Sequence, residues 1–223
     1  MTKAVFSNYN FTPDWIKDYY DDYLIYDRSD NKDYLKDFPQ DKIRYVENIG
    51  SDIADKFLWI IENYNNLPDI VLLSKSNLFK YCPKDEFDLL KDRKEFTPLL
   101  TQHHKTYMPV CYYKDGMYYE INNFWYLTAH RPKNEQAVEE LSDLLGLRGL
   151  DYVQFCPGSN YILRKEDILR HPKSFYEKLR SFLDWTIYPG EADVIERGLF
   201  YLWGTDIIRA WDDQKDKYHG TKE

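Results

Sequence analysis

The chain has 223 residues, 43% of them apolar and 30% charged, with a formal net charge of −8. That acidity argues against a nucleic acid or an anionic membrane surface as the main partner, while leaving a small anion free to bind a local cluster of donors. Cys82, Cys111 and Cys156 stand far apart and show no metal-ligand spacing, which fits reduced thiols in a cytoplasmic setting. No run reaches the ~18 apolar residues of a membrane span, and "MTKAVFSNYNF" lacks the apolar centre of a signal peptide, so no membrane insertion is expected.

The expected elements alternate from the start. "KAVFSNYN" is an apolar run ending in turn formers and reads as a strand. "TPDWIKDYY" reads as a helix with Thr12 as N-cap and Pro13 at the first helical position. "YLIYDRSD" and "KIRYVEN" read as further strands, each stopped by polar residues. Ala54, Phe57, Leu58 and Ile61 recur at helical spacing and give a helix one apolar face, which Pro68 closes off. "DIVLLS" is the continuous apolar run of a strand buried on both faces. This order predicts an α/β fold with a mostly parallel central sheet flanked by helices.

The pattern changes after residue 80. "PVCYYKDGMYYEINNFWYL" predicts an antiparallel hairpin turning at Lys114-Asp115-Gly116. Ala137, Val138, Leu141, Leu144 and Leu145 mark a helix ended by Gly146. "DYVQFCPGSNYILR" predicts one or two strands broken at Pro157-Gly158. Helices follow through Phe175, Leu179, Phe182 and Leu183, and from near Glu191. One domain is expected over residues 1–211, with 212–223 a polar tail or the start of a linker to a further domain.

In an open α/β sheet, ligands bind beyond the carboxyl ends of the strands. The loops expected there are "SNYN", "DRSD", "ENIGSD" and "SKSN". They bring Ser7, Asn8, Tyr9, Asp27, Arg28, Asn48, Gly50, Asp52, Ser74, Lys75 and Ser76 to one edge. Their carboxylates suit a base edge or ribose hydroxyls, and their backbone N–H groups with Lys75 suit phosphates. Each loop alone is as well explained by Asx-turns and helix caps.

The runs "YDRSD", "ENIGSDIADKFLWII" and "DIVLLSKSN" resemble the nucleotide-binding half of the GT-A glycosyltransferases, here residues 1–80. "GSNYILRKEDI" and "PGEADVIERGLFYLW" resemble the acceptor half, residues 81–211. The chain as a whole is closer still to the glycosyltransferase domains of large chlorella viruses that build capsid glycans. The resemblance implies a GT-A-like, Rossmann-like fold and transfer of a rhamnose- or glucose-type sugar from a UDP-sugar to a glycan on a viral capsid glycoprotein. The setting would then be the host cytoplasm. It also implies an Asp-x-Asp at the end of the fourth strand, where this chain has Ser74-Lys75-Ser76 and offers no carboxylate. A Mn²⁺ or Mg²⁺ would then be held mainly by the donor diphosphate, or Lys75 would replace it.

Inverting glycosyl transfer needs a carboxylate beside the acceptor hydroxyl. Glu191 ranks first for that role on the resembled motif, followed by Asp193 and Glu196, with Arg197 expected to orient a carboxylate or meet the diphosphate. Acidic residues in a first helical turn are also favoured simply by the helix dipole. His103-His104 is a weak metal candidate because neighbouring side chains point apart. Trp125, Tyr126 and Trp185 are candidates for sugar stacking or for core packing. A sugar-1-phosphate nucleotidyltransferase would want a Gly-rich basic loop after the first strand, which "SNYNF" is not. A non-catalytic glycan- or nucleotide-sugar-binding module is the alternative from another class.

Overall fold

Alternate residues of the first strand face opposite ways, and both sets are apolar. In β1 (Thr2–Asn8), Val5 packs into one core layer while Ala4 and Phe6 pack into another. Leu72 of β4 (Ile70–Lys75) divides from Val71 and Leu73 in the same way. A sheet with two apolar faces must be covered on both. The computed structural model, which describes residues 2–101, 110–114 and 117–204, shows that arrangement.

The main sheet has six strands. β1 lies between β2 (Tyr23–Asp27) and β4, with β3 (Ile43–Tyr45) outside β2, and all four run parallel. Beyond β4 comes β9 (Tyr161–Arg164), antiparallel to it, and then β5 (Thr97–Pro98), antiparallel to β9. The sheet therefore joins strands from both sides of residue 80. The short helices α1 (Trp15–Tyr19) and α3 (Lys84–Leu90) cover one face through Ile16 and Phe87. The other face is covered by α2 (Ser51–Asn63), which packs in turn on α6 (Lys173–Ser181) and α7 (Gly190–Trp203).

The expected hairpin is present as β6 (Cys111–Lys114) and β7 (Met117–Ile121), and β8 (Tyr152–Gln154) extends it to a separate three-stranded antiparallel sheet. Lys114 pairs with Met117, which brackets the expected turn; Asp115 and Gly116 themselves lie outside the described residues. The helix expected from Ala137 to Leu145 is α4 (Glu135–Leu144), and Gly146 follows it with φ of 66°. α5 (Lys165–Leu169) completes the helices of the described residues and was not anticipated.

One expectation is corrected. Thr12 does not cap α1: the helix starts after Asp14, makes no side-chain cap, and Ile16 N–H instead donates to Pro13 O at 3.0 Å. Arg197, expected to orient a carboxylate or meet a diphosphate, spends most of its bonds on a structural pair while its Nη1 stays 3.9 Å from Glu196 Oε2. Its Nε and Nη2 donate to Glu120 Oε1 at 2.8 and 2.6 Å, and its guanidinium stacks over Tyr126 at 3.5 Å, so it fastens α7 to β7. Tyr126 is thereby a core residue, while Trp125 is exposed.

Both members of the Arg197–Glu120 pair are buried. Removing one buried partner costs about 3–5 kcal/mol because the other charge is left uncompensated. Arg197→Ala is therefore expected to lose stability in that range in urea denaturation, and Arg197→Met with Glu120→Met much less. An Arg197→Ala loss below ~1 kcal/mol would show that water or another residue takes over the charge.

Candidate functional site

The carboxyl ends of β1, β2 and β4 are tied together by their own side chains. Asn8 Nδ2 donates to Asp27 Oδ1 at 3.0 Å, Ser76 Oγ to Asn8 Oδ1 at 2.5 Å, and Ser29 Oγ to Asp27 Oδ1 at 2.7 Å. Backbone bonds extend the ladder past the strand ends, from Arg28 N–H to Asn8 O and from Ser76 N–H to Ser7 O, each at 2.9 Å. Short polar residues here spend their bonding capacity on fixing the edge.

Asp27 is consequently not a surface reader of a base. It is 0% exposed, and one of its oxygens serves as the hub of this network. Ser74 is also sealed, with its hydroxyl donating to Asn160 Oδ1 at 2.9 Å. Gly50 takes φ of 81° just before α2, and a Cβ there would meet Leu183 O at 2.7 Å, so it serves the turn and the close approach of the segment that follows α6. These three and Arg197 stand behind or away from the cavity.

The remaining expected residues do converge. Ser7, Asn8, Tyr9, Arg28, Asn48, Asp52, Lys75 and Ser76 line a cavity of about 180 Å³. Ser51, Asn77, Tyr81 and Tyr188 complete its wall. Tyr9 and Tyr188 are about half exposed, so each offers a ring to a ligand. A second cavity, of about 140 Å³, shares Ser51, Asp52, Lys75 and Tyr188 with the first and is lined by Asp193 and Glu196. His130 also lines it, with Nδ1 2.9 Å from Asp193 Oδ2 and its ring stacked on Tyr188.

Between the two cavities sits a cluster of charges. Asp52 Oδ2 lies 2.5 Å from Lys56 Nζ and from Ser159 Oγ, and Asp52 Oδ1 lies 3.2 Å from Lys75 Nζ. Lys56 is 1% exposed, so its charge depends on this carboxylate. Burial acts against the ionised form of Asp52, yet the two ammonium groups overcome it and hold its pKa well below the usual carboxylate range. Burial acts against the Lys75 ammonium too, and Asp52 with Glu196 outweighs it, leaving Lys75 a firmer cation than an exposed lysine. Glu196 is displaced the other way: burial raises its pKa, against the pull of Lys75 and Arg197. Its Oε1 accepts from Gly158 N–H at 2.8 Å.

A second buried pair supports the first cavity. Arg28 Nε and Nη2 donate to Asp55 at 2.6 and 2.8 Å, and the Ser7 hydroxyl donates to the same carboxylate. The helical pattern placed Asp55 and Lys56 off the apolar face of α2, yet both are buried, because the polar side of α2 faces the site. Ser159 and Asn160 were missed as well, and "PGSN" gives only a turn signal. Gly158 has φ of 91° and Ser159 has φ of 58°, matching the left-handed pair Gly50 and Ser51 across the cluster.

Glu191 departs from its expected place. It is 0% exposed, accepts from Lys133 N–H at 2.7 Å, and lines neither cavity. The loop 129–133 separates it from them, since Gly190 packs on the backbone of His130 and Arg131. Of the three acids in "GEADVIER", the geometry leaves Asp193 and Glu196 in the cavity that Lys75 shares. His103 and His104 lie outside the described residues, and among those no three His, Cys, Asp or Glu side chains converge on a possible metal position. No described helix is long and apolar enough to cross a membrane. No family model, curated protein or solved structure matches the chain.

Because Glu196 holds its proton more tightly folded than unfolded, its contribution to stability is complete below the unfolded pKa, about 4.3, and is lost as pH rises through the folded one. Glu196→Gln removes that loss. Urea denaturation at a series of pH values from ~4 to ~8 is expected to show the variant gaining on the wild type as pH rises. A stability difference independent of pH would sink the assignment.

Proposed function

We propose that the chain is a glycosyltransferase of the GT-A type, taking a UDP-sugar in the first cavity and an acceptor glycan at the second. The observation that carries this reading is the junction of two cavities at one lysine: Lys75 belongs to both, with the half-exposed Tyr9 ring in the first and Asp193 and Glu196 in the second. Glycosyl transfer needs that adjacency, a cation where a diphosphate departs and a base where a hydroxyl attacks.

In this reading Tyr9, Arg28 and Asn48 flank the nucleoside, and Lys75 with Ser76 receives the diphosphate. Lys75 takes the place that an Asp-x-Asp and its metal hold in the resembled family, and any Mn²⁺ or Mg²⁺ would be carried by the diphosphate itself. Glu196 is the base. Its raised pKa brings a carboxylate nearer to the operating range of a proton acceptor, and Asp193 beside it hydrogen-bonds the acceptor together with His130. By the same resemblance the sugar is of the rhamnose or glucose type and the acceptor a capsid-type glycan in a host cytoplasm.

A non-catalytic nucleotide-sugar-binding module is the second reading, and one observation favours it: Lys75 is already paired with Asp52. Both readings require nucleotide binding and only one requires turnover. Titration calorimetry with UDP, GDP and ADP is expected to give heat chiefly with UDP, and Lys75→Met to weaken UDP by about 10-fold to 100-fold, the worth of a charged hydrogen bond. Equal or absent heats for the three nucleotides remove the uridine site.

Release of UDP from UDP-sugars in the presence of glycan acceptors tests the chemistry. Glu196→Gln is expected to lower turnover about 100-fold to 10,000-fold with donor affinity nearly unchanged, as for loss of a general base. Wild-type turnover should fall as pH drops through the raised Glu196 pKa, since only the ionised form accepts a proton. A folded Glu196→Gln that transfers at the wild-type rate moves the base to another residue. A wild type that binds UDP and transfers nothing leaves the binding module.

A further inference from the structure

Behind the loop 129–133, on the side away from Lys75, lies a third cavity, of about 300 Å³, between the start of α4, the end of α6 and the start of α7. Trp185 and Phe182 form its apolar wall, and Lys133, Asn134 and Gln136 its polar rim. The remaining wall residue of consequence is Glu191. It is 0% exposed, its Oε1 is taken by Lys133 N–H, and its Oε2 is buried with no hydrogen-bond partner among the described residues.

A buried carboxylate oxygen without a donor is costly, and such an orphan in a pocket wall calls for an explanation in terms of something that enters. Trp185 adds a second, independent feature: a large ring, 38% exposed, at the same pocket. The charges around it narrow the chemistry. Glu191 disfavours an anion, and Lys133 at the rim disfavours a cation. Glu140, also in the wall, is engaged by Lys178 at 2.7 Å. What suits an aromatic face, a carboxylate acceptor and amide groups together is a neutral ligand with an apolar face and hydroxyl donors.

We infer that this pocket is a subsite for one neutral sugar residue of a glycan, its apolar face on Trp185 and one hydroxyl donating to Glu191 Oε2. Glu191 and Glu196 lie on the same helix, five residues and so about 7.5 Å apart along its axis. A glycan reaching over the loop 129–133 can therefore occupy this pocket while its end lies beside Glu196. That use of the subsite rests on the glycosyl-transfer reading; binding of the sugar does not.

The test is direct binding without any nucleotide. Saturation-transfer NMR and calorimetry would use methyl glycosides and short oligosaccharides of neutral hexoses and 6-deoxyhexoses, with a sulfated and a carboxylated sugar as anionic arms. Wild type is expected to bind at least one neutral glycan, with Trp185 fluorescence responding. Trp185→Ala should weaken it about 10-fold or more, Trp185→Phe should restore most of that, and Glu191→Gln should weaken it about 10-fold. Trp185 is on the surface, so its variants stay informative if the buried Glu191 variant fails to fold. In transfer assays Trp185→Ala should raise the acceptor KM and leave kcat and UDP affinity alone. Undiminished glycan binding by Trp185→Ala, no neutral glycan bound across the panel, or a preference for the anionic sugars each overturns the subsite. Glycan binding that requires Trp185 in a protein that ignores UDP would uphold the subsite and discard the transferase.

Discussion

One carboxylate holds two ammonium groups, and the site depends on it. Asp52 sits in the first turn of α2, Lys56 one turn further along, and Lys75 at the end of β4. Lys56 could not stay charged in so dry a place without a partner, and Asp52 without the lysines would be driven to protonate. The group that satisfies both at once is the one that fixes α2 against the sheet edge. Removing Asp52 would take away the partner that keeps the buried Lys56 charged and leave Lys75 with Glu196 as its remaining carboxylate neighbour.

The backbone around that cluster is bent to deliver it. Gly50 and Ser51 both take positive φ where α2 begins, and their N–H groups donate to Thr186 O and Ile187 O at 2.8 and 3.1 Å. The first turn of α2 is thus closed by the loop before α7. Gly158 and Ser159 take positive φ on the opposite side, which places Gly158 N–H on Glu196 and the Ser159 hydroxyl on Asp52. A serine in the left-handed region costs of the order of 1–3 kcal/mol and persists where surrounding bonds enforce it. Two such serines, each next to a glycine and both touching the cavity or its charge cluster, mark the place where the fold gives up local comfort for arrangement.

Much of the fold was legible because hydrophobic period and strand punctuation agree in the first 75 residues. β1, β2, β3 and β4 could be read from apolar runs ending in Ser, Asn and Asp, and the parallel order follows from the intervening helix α2. The insertion of β9 between β4 and β5 was not legible, since pairing across ninety residues leaves no local trace. Nor was the burial of Asp55 and Lys56: on a helical wheel a charged face signals water, and here it signals a site. The edge residues were legible as a set but not in their roles. "DRSD" suggests a base reader at Asp27, whereas its carboxylate braces the strand ends and Arg28 reaches the cavity. In "GEADVIER" the motif ranks Glu191 first of three acids, but the loop 129–133 divides them, leaving Glu191 on one side and Asp193 and Glu196 on the other.

The same division explains how a lysine can stand where carboxylates and a cation would otherwise be expected. A free ammonium at a strand end would bind any small anion, and one locked into a pair would bind none. Lys75 is between these: its Nζ is 3.2 Å from Asp52 Oδ1, its side chain is 23% exposed, and it lies over the Tyr81 ring at 5.2 Å. Under the glycosyl-transfer reading a diphosphate can draw Lys75 away without stranding Asp52, because Asp52 Oδ2 keeps Lys56 and Ser159. The exchange swaps one charged hydrogen bond for another, so its cost is small beside breaking an isolated buried pair. As Lys75 turns to the diphosphate, Glu196 loses part of the positive field that favours its ionised form, and its affinity for a proton rises. Donor binding would in this way strengthen the base at the moment an acceptor hydroxyl has to give up its proton.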